Sequence, residues 1–260
     1  MGFTLSYLSI LILIPLSTIF MRTVNMGWDS FFKTVLNPRV LASYQVSFGC
    51  AFTAALTNTI FGLIIAWVLV RYDFPFKRIV DGLIDLPFAL PTAVAGIALT
   101  TLYAQNGWVG KFLYAFGIQS AYSTTGITIA LIFIGIPFVV RTVQPILEEL
   151  EPQVEEAATM LGANRNTIFL KTILPELIPP LLTGFALAFA RGIGEYGSVV
   201  FISGNMPMKT EIAPLMIMSK LEQYDYAGAT AIAMVMLFIS FLMLLVINII
   251  QWHTNKFLKV

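Results

Sequence analysis

Long apolar runs constrain this sequence more than any other feature. A helix needs about 20 mostly apolar residues to cross the hydrocarbon core of a bilayer, and six runs approach that length. The runs are continuous rather than alternating, which favours helices over the strands of a membrane β-barrel. We therefore predict an all-α membrane protein in which residues 1–260 form a single transmembrane domain. The six predicted spans are residues 4–21, 44–70, 86–103, 124–140, 177–202 and 227–250.

The N-terminal run has no Lys or Arg before it and no Ala-x-Ala pattern after it. A cleaved signal peptide would normally carry both features. We therefore expect a retained span at this position.

The composition agrees with a membrane protein, since 58% of the residues are hydrophobic and only 11% are charged. This balance excludes an ordinary soluble globular domain. The net charge of +1 gives no reason to expect nucleic acid as a partner. Cys50 is the only cysteine, which excludes an intrachain disulfide and a thiolate metal cluster.

No residue pattern points to an enzyme. The sequence has one histidine, His253, and no catalytic serine motif or metal-ligand spacing stands out. The Gly110-Lys111 pair lacks the earlier glycine and the following Ser or Thr that a phosphate-binding loop requires. We therefore expect no catalytic residue, metal or cofactor in this chain.

The longest charged connection, residues 141–176, contains a pattern typical of a short amphipathic helix. Pro152 suits the first turn, where its missing N–H is not needed, and Glu155 lies near the positive helix end. Gly162 is placed to end the helix in a left-handed conformation. Asn164 is a candidate cap for a second helix, which Pro175 is expected to end before the fifth span. The predicted apolar face of the first helix consists of Val154, Ala157, Ala158 and Leu161.

This first helix has two interpretations. It could lie in the lipid headgroup layer, or its apolar face could dock on another protein. The small side chains of Ala157 and Ala158 insert little area into lipid but allow close approach to a partner's groove. We therefore prefer docking on a protein.

The residues around this helix resemble the EAA loop in permeases of ATP-binding-cassette (ABC) importers. The match consists of Glu156-Ala157-Ala158, Gly162 and Leu174-Pro175, in the spacing EAA-x3-G-x11-LP. Thr172 departs from the pattern, since the family usually has Ile or Val there. The resemblance implies a type I ABC importer permease fold, with a cytoplasmic coupling loop at about residues 147–175 that docks on a partner ATPase. The residues implied in ATPase coupling are Glu155, Glu156, Ala157, Ala158, Leu161, Gly162 and Ala163.

The same resemblance orients the chain in the membrane. Basic residues are divided almost evenly between the two sets of connections, so the positive-inside rule does not settle the topology. An even number of predicted spans precedes the cytoplasmic loop. The N-terminus is therefore also expected on the cytoplasmic side.

Two charges interrupt the apolar fifth span. Arg191 and Glu195 lie one helical turn apart, and each charge near mid-bilayer costs about 2.5–3.5 kcal/mol on insertion scales. They could neutralise each other as an i, i+4 pair that faces the bundle interior. Arg191 could also supply positive potential for a divalent anion, with Glu195 positioning the anion or forming part of a gate, and both interpretations can hold together. The candidate pathway and gate residues are Arg191, Gly194, Glu195, Tyr196, Ser198, Ser203 and Asn205.

Residues 189–197 and 202–205 resemble a segment that sulfate and molybdate permeases share. The motifs Lys209-Thr210-Glu211 and Tyr224-Asp225-Tyr226 are more similar to sulfate/thiosulfate permeases, and residues 2–5 and 86–92 extend the resemblance. It implies a permease that forms the anion pathway by alternating access. The implied partners are a homologous second permease (CysW type) in a heterodimer, two ATPase subunits (CysA type) that use ATP and Mg²⁺, a periplasmic sulfate- or thiosulfate-binding protein, sulfate and membrane lipid.

The implied location is the bacterial cytoplasmic (inner) membrane, with the plastid inner envelope as an alternative. Two other functions stay open. The cargo could be molybdate or another oxyanion, because each presents a similar dianionic tetrahedral group. The chain could also be an ATP-independent secondary anion transporter, although such proteins often carry ionisable residues on several spans, whereas only Arg191 and Glu195 are clearly interior here.

Overall fold

The computed structural model describes the backbone of residues 6–258 and the side chains of residues 6–253. The first two residues of the first predicted span and the resemblance at residues 2–5 lie outside the described residues. Within the described part the chain is helical and has no strand, which confirms the predicted all-α fold. The helices are α1 (Ser6–Asn25), α2 (Trp28–Val35), α3 (Pro38–Arg71), α4 (Lys77–Ile84), α5 (Leu86–Ala89), α6 (Thr92–Tyr103), α7 (Trp108–Ala115), α8 (Thr124–Glu149), α9 (Pro152–Met160), α10 (Arg165–Ile193), α11 (Val199–Ile202), α12 (Ala213–Glu222) and α13 (Tyr226–Leu258).

Five of the described helices, α1, α3, α8, α10 and α13, are long and apolar enough to cross a membrane. Large apolar side chains on them are exposed, for example Phe238, Phe241 and Leu242 on α13. Apolar surface of this extent requires cover by lipid or by another protein. These five helices confirm five of the predicted spans and the assignment to a membrane protein.

The third predicted span, residues 86–103, is wrong as a continuous helix. It is divided into α5 and α6, and the 12 residues of α6 reach only about 18 Å, less than the hydrocarbon core. Pro91 explains the break, because it has no N–H to donate and disfavours a helical conformation in the residue before it. Leu90 is accordingly extended, with φ −85° and ψ 134°.

The core of the bundle consists of α3, α8 and α10. α3 and α8 lie side by side and run in the same direction, whereas α10 runs against both. Since α3 and α8 are parallel, the chain between them returns across the bundle, and α5, the break and α6 make this return together. Small residues at the crossings allow the backbones to approach closely. The contacts that define this order are Asn58–Gly135 and Gly62–Val139 between α3 and α8, and Ala188–Gly135 and Gly184–Val139 between α10 and α8.

The expectation that Pro175 ends a separate helix is wrong. α10 begins inside the coupling loop and continues as one helix from Arg165 to Ile193. A π-helical turn, Phe169–Ile173, directly precedes Leu174 and Pro175. The wider π turn accommodates a proline ring that would crowd the preceding turn of an α-helix. α10 also ends nine residues before the predicted end at residue 202, and α11 forms the remaining apolar part.

Candidate coupling surface and charged pair

The short helix of the coupling loop begins and ends where the sequence predicts. Pro152 is the first residue of α9. Gly162 has φ +82°, which a Cβ disfavours, and its N–H donates to the Thr159 carbonyl at 2.9 Å. Asn164 Oδ1 accepts the Thr167 N–H at 2.8 Å and caps the next helix. The predicted helix start, helix stop and cap are confirmed.

α9 presents most of its side chains away from the bundle. None of its residues is buried, and Met160 and Leu161 at its end are 90% and 89% exposed. Ala158 is half-buried and packs against the core on the opposite side. The predicted apolar face is therefore divided, because Ala158 faces the bundle while the other three residues lie outside. An exposed apolar surface on a small helix is typical of an interaction site. The exposed residues are Val154, Glu156, Ala157, Met160 and Leu161.

Met160 is absent from the residues predicted from sequence. It is the most exposed large apolar side chain of this surface, and the signal that could have found it is its place beside Leu161 at the end of the helix. The EAA pattern names positions by their match to a motif, and Met160 falls in the unspecified x3 part. A solvent-exposed Met is an adaptable contact residue, because its unbranched side chain fits irregular surfaces.

A charged cluster that sequence reasoning missed lies on the same side of the bundle as the coupling loop. Arg141 on α8 donates from Nη1 to Asp81 Oδ1 at 2.6 Å, and from Nε and Nη2 to the Asp85 carboxylate at 2.9 and 2.7 Å. Gln144 Oε1 also accepts from Nη1 at 2.7 Å. The planar guanidinium is thereby matched by two carboxylates, which hold the end of α4 against α8. The two parts are about 60 residues apart in the chain, so local patterns could not pair them.

The two charges of the fifth span form an ion pair. Arg191 Nη1 lies 2.5 Å from Glu195 Oε2, and the Glu195 side chain is 2% exposed whereas that of Arg191 is 36% exposed. Glu195 Oε1 accepts the Ser198 N–H at 2.9 Å and the Ser198 hydroxyl at 3.0 Å. Burial of an unpaired carboxylate is costly, and these partners reduce that cost. The accessible side of the pair is therefore the guanidinium.

Regular helix is interrupted at this pair. α10 ends two residues before Glu195, whose N–H donates back to the Gly192 carbonyl at 3.2 Å. By accepting the Ser198 N–H, Glu195 satisfies a backbone donor at the start of α11. Gly96 on α6 permits close approach from the other side, because a Cβ there would lie 2.5 Å from the Ser198 carbonyl oxygen. Three helices, α6, α10 and α11, meet at this point.

The other predicted pathway residues lie in two places. Gly194 and Tyr196 flank the ion pair and are exposed. Ser203 and Asn205 lie beyond α11, where the Asn205 N–H donates to Ser203 Oγ at 3.2 Å. Ser203 is fully buried, whereas Asn205 is exposed. Arg191, Glu195 and Ser198 therefore lie together, whereas Ser203 and Asn205 lie apart from them. A pathway role for any of these residues stays a prediction.

A second ion pair, also missed from sequence, holds the segment that follows Asn205 against α3. Arg39, at the start of α3, donates from Nε and Nη2 to the two carboxylate oxygens of Glu211, both at 2.7 Å. Ser47 on the same helix accepts the Ala213 N–H at 2.7 Å. The Glu211 side chain is only 1% exposed. The available sequence signal was the position of Glu211 in the motif Lys209-Thr210-Glu211.

Comparison with known proteins finds relatives along almost the whole chain. The family model described as "Binding-protein-dependent transport system inner membrane component" matches residues 58–260. The sulfate transport system permease protein CysT of Synechocystis sp. is 49% identical over 254 residues, which cover 98% of this chain and 89% of the relative. The CysT protein of Salmonella typhimurium is 49% identical over 256 residues, covering 96% and 92%. A probable sulfate transport system permease protein of Mesostigma viride is 50% identical over 256 residues, covering 98% and 95%.

Solved structures share the same fold. One is a bacterial ABC transporter involved in the import of the acidic polysaccharide alginate, with a TM-score of 0.78 and 13% identity over 96% of this chain and 92% of that chain. Another is the alginate transporter in complex with an alginate pentasaccharide-bound periplasmic protein, with a TM-score of 0.77 and 15% identity over 94% and 90%. At these identities the likeness is one of fold alone.

Proposed function

Because this chain belongs to the family of binding-protein-dependent transport system inner membrane components and has a type I ABC importer permease fold, we propose that it is a permease subunit of an ATP-driven sulfate/thiosulfate importer. The observation that carries the proposal is the extent of the similarity to sulfate permeases, which match about half of the residues along almost the whole chain. The chain is a multi-pass membrane permease, so its role is to form a path across the bilayer.

The geometry of α9 supports a coupling role in this importer. Its outer side carries small and apolar side chains, among them Ala157 and Leu161, which suit a cleft of a cytoplasmic ATPase. α10 then runs without a break from the coupling loop to Ile193, a length of about 42 Å. A displacement of the coupling loop therefore moves a helix whose far end carries Arg191. In this mechanism, closure of the ATPase subunits rocks the bundle between inward-open and outward-open states.

The charged pair is the proposed point of contact with the anion. One carboxylate oxygen of Glu195 pairs with Arg191, and the other accepts hydrogen bonds from Ser198. The Arg191 side chain is about one-third exposed, and its N–H groups other than those of Nη1 are available to an anion. The guanidinium attracts a dianion, but the buried carboxylate offsets its charge. Binding at the pair is therefore weak, which suits a step in a pathway. Selectivity among oxyanions then lies mostly in the protein that delivers the cargo.

The assembly and its location are part of the proposal. It consists of this chain, a homologous second permease of the CysW type, two ATPase subunits of the CysA type that use ATP and Mg²⁺, and a periplasmic sulfate- or thiosulfate-binding protein. The family description names binding-protein dependence, and one structural neighbour contains a bound periplasmic protein. We place the assembly in the bacterial cytoplasmic membrane, and the plastid inner envelope is the alternative.

Transport by the complete complex in liposomes tests the proposal. The vesicles enclose Mg-ATP, while the binding protein and radiolabelled sulfate are added outside. Uptake is expected only when ATP and the binding protein are both present, and a non-hydrolysable ATP analogue serves as the matched control. Sulfate uptake by this chain alone, without nucleotide or companion proteins, would identify an ATP-independent transporter and refute the proposal.

Competition in the same assay identifies the cargo. Unlabelled sulfate and thiosulfate are expected to suppress uptake of labelled sulfate more strongly than equal concentrations of molybdate. Stronger suppression by molybdate, together with uptake of labelled molybdate, would reassign the importer to that oxyanion. This result would leave the ATP-driven permease assignment intact, because it changes only the substrate.

A further inference from the structure

Two side-chain contacts connect the coupling loop to the end of α3, on the face of α9 opposite its exposed surface. Arg71, the last residue of α3, donates from Nη2 to Glu155 Oε1. The Arg71 guanidinium carbon also lies 5.3 Å from the centre of the Trp67 ring, a cation–π contact. Trp67 in turn packs edge-on against Phe169 at the start of α10, with ring centroids 5.4 Å apart. Both helical segments of the coupling loop, α9 and the start of α10, therefore contact α3.

Glu155 and Glu156 are adjacent but lie on different sides of α9, because successive residues of an α-helix point about 100° apart. The Glu155 side chain is 31% exposed and pairs with Arg71, whereas Glu156 is on the exposed side. Ala158, one turn from Glu155, packs against the core. One side of α9 is therefore accessible to an ATPase subunit, whereas the other side is attached to the bundle through the ion pair of Glu155. A force applied to the free side is transmitted where the helix is fastened.

α3 is suited to carry such a displacement across the membrane. It is one helix of 34 residues, about 50 Å long, and no proline interrupts it after its first turn. Its opposite end carries Arg39, which holds the buried Glu211. α3 also packs along α8 and α10. A displacement received at Arg71 would therefore reach the far side of the bundle and both other core helices.

The Arg71 contact also has an unused donor. Arg71 Nε is buried and has no hydrogen-bond partner among the described contacts. A buried N–H without an acceptor is unfavourable, so an arrangement of the coupling loop that supplies a second acceptor would be stabilised relative to this one.

We propose that Arg71 is a positioning residue that, through its ion pair with Glu155, transmits the movement of α9 to α3. The proposal rests on the proposed ATP-driven function and adds a second route beside the continuous α10. Without the ion pair, α9 would be connected to the bundle mainly through the polypeptide chain on either side of it and through the packing of Ala158. Loss of the pair is therefore expected to separate ATP hydrolysis from transport rather than to abolish either assembly or nucleotide use.

The test is a charge exchange in the complete complex in liposomes, measuring ATP hydrolysed and sulfate taken up in the same samples. R71E and E155R each place like charges together and are expected to raise the ATP consumed per sulfate about fivefold or more. The double variant R71E/E155R restores the opposite charges and is expected to recover at least about half of the wild-type ratio. The exposed pair Lys77–Asp73 provides the matched control, since its exchange is expected to leave the ratio unchanged.

Assembly is checked by co-purification of the ATPase with each variant. If R71E does not assemble, R71Q removes the charge at similar size and is expected to give the same direction of change. A wild-type ratio in R71Q, or a double variant no better than the single ones, would overturn the role of Arg71. Wild-type complex that hydrolyses ATP but moves no sulfate would instead refute the proposed function, so the two failures are distinguishable.

Discussion

The amide of Asn58 on α3 occupies the space that a side chain at Gly135 on α8 would need. A Cβ at Gly135 would lie 2.3 Å from Asn58 Nδ2. Asn58 is 1% exposed, and neither atom of its amide group has a hydrogen-bond partner among the described contacts. The two parallel core helices therefore meet at a tight contact that includes an unsatisfied polar group.

This contact predicts a coupled pair of substitutions. Gly135→Ala overpacks the crossing and is expected to lower the midpoint of thermal unfolding in detergent by roughly 5 °C. Asn58→Ala removes the obstructing amide, so the double variant is expected to recover most of this loss. Gly82→Ala on α4, where a Cβ meets nothing within 4 Å, is the control and should not lower the midpoint. Equal losses in Gly135→Ala and in the double variant would show that Asn58 is not the obstacle.

The Arg39–Glu211 pair predicts a second effect on stability. Arg39→Ala leaves a buried carboxylate without its partner, which costs about 2 kcal/mol or more, so the midpoint of unfolding is expected to fall by roughly 4–8 °C. Arg39→Lys keeps the charge but loses the two-pronged contact and should show an intermediate loss. The exposed Lys77–Asp73 pair serves as the control, and Lys77→Ala should have little effect. An unchanged midpoint in Arg39→Ala would contradict a structural role for the pair.

A bulky residue at Gly162 is expected to impair coupling to the ATPase without impairing insertion of the chain into the membrane. Gly162→Val forces a β-branched residue into φ +82°, which distorts the end of α9. Sulfate uptake by the complex is expected to fall about tenfold or more, while the amount of protein in the membrane stays the same. Gly117 has φ +75° at a site away from the coupling loop, so Gly117→Val supplies a control of similar backbone strain. Equal uptake in the two valine variants would argue against a special role for α9.

Glu156 lies on the free side of α9 and predicts a charge effect on ATPase docking. Glu156→Lys is expected to reduce sulfate uptake and the ATPase activity of the complex together, because the reversed charge weakens the contact with the partner. Asp73→Lys, in the exposed connection between α3 and α4 and outside the coupling loop, is the control for a new lysine on the same side of the bundle. Unchanged uptake in Glu156→Lys would count against docking through this face.

At Arg191, we expect the positive charge to matter more for sulfate uptake than the shape of the guanidinium group. Arg191→Ala removes the attraction for a dianion and leaves the buried Glu195 unpaired, so sulfate uptake is expected to fall about tenfold or more. Arg191→Lys retains the charge and should keep a larger part of the uptake. Equal loss in the two variants, with normal assembly, would indicate a packed structural pair rather than an anion contact.

Asp225, in the turn between α12 and α13, predicts a pH effect on stability. The Lys220 ammonium, with help from the Gly228 N–H, holds the pKa of this carboxyl below its ordinary value. A carboxyl with a lowered folded-state pKa stabilises the fold above the unfolded pKa of about 3.9, and this contribution is lost as pH falls through the folded pKa. The difference in unfolding midpoint between wild type and Asp225→Asn should therefore shrink as pH falls from about 6 to about 3. A difference independent of pH would exclude the carboxylate charge as its source.

The local parts of the fold and of the site were predictable from the sequence. The long apolar runs located five membrane helices, and Pro152, Gly162 and Asn164 located the ends of α9 and the start of α10. Each of these features depends on residues within a few turns of one another. Pro91 and Pro175 were the exceptions, because the effect of Pro91 on a span and of Pro175 on α10 depends on which neighbouring turn adjusts to the missing N–H.

The sequence by itself determined that this chain crosses a membrane several times, that it exposes a small-residue helix in a charged loop, and that it carries an Arg191–Glu195 pair, because hydropathy, helix capping and i, i+4 spacing are local properties. The tertiary structure alone decided which side of α9 is free, and it formed the pairs that join distant segments. Glu155 and Arg71 are 84 positions apart, and Arg39 and Glu211 are 172 positions apart. Such pairs form only after parallel α3 and α8 and antiparallel α10 pack together, since the packing brings their ends within reach.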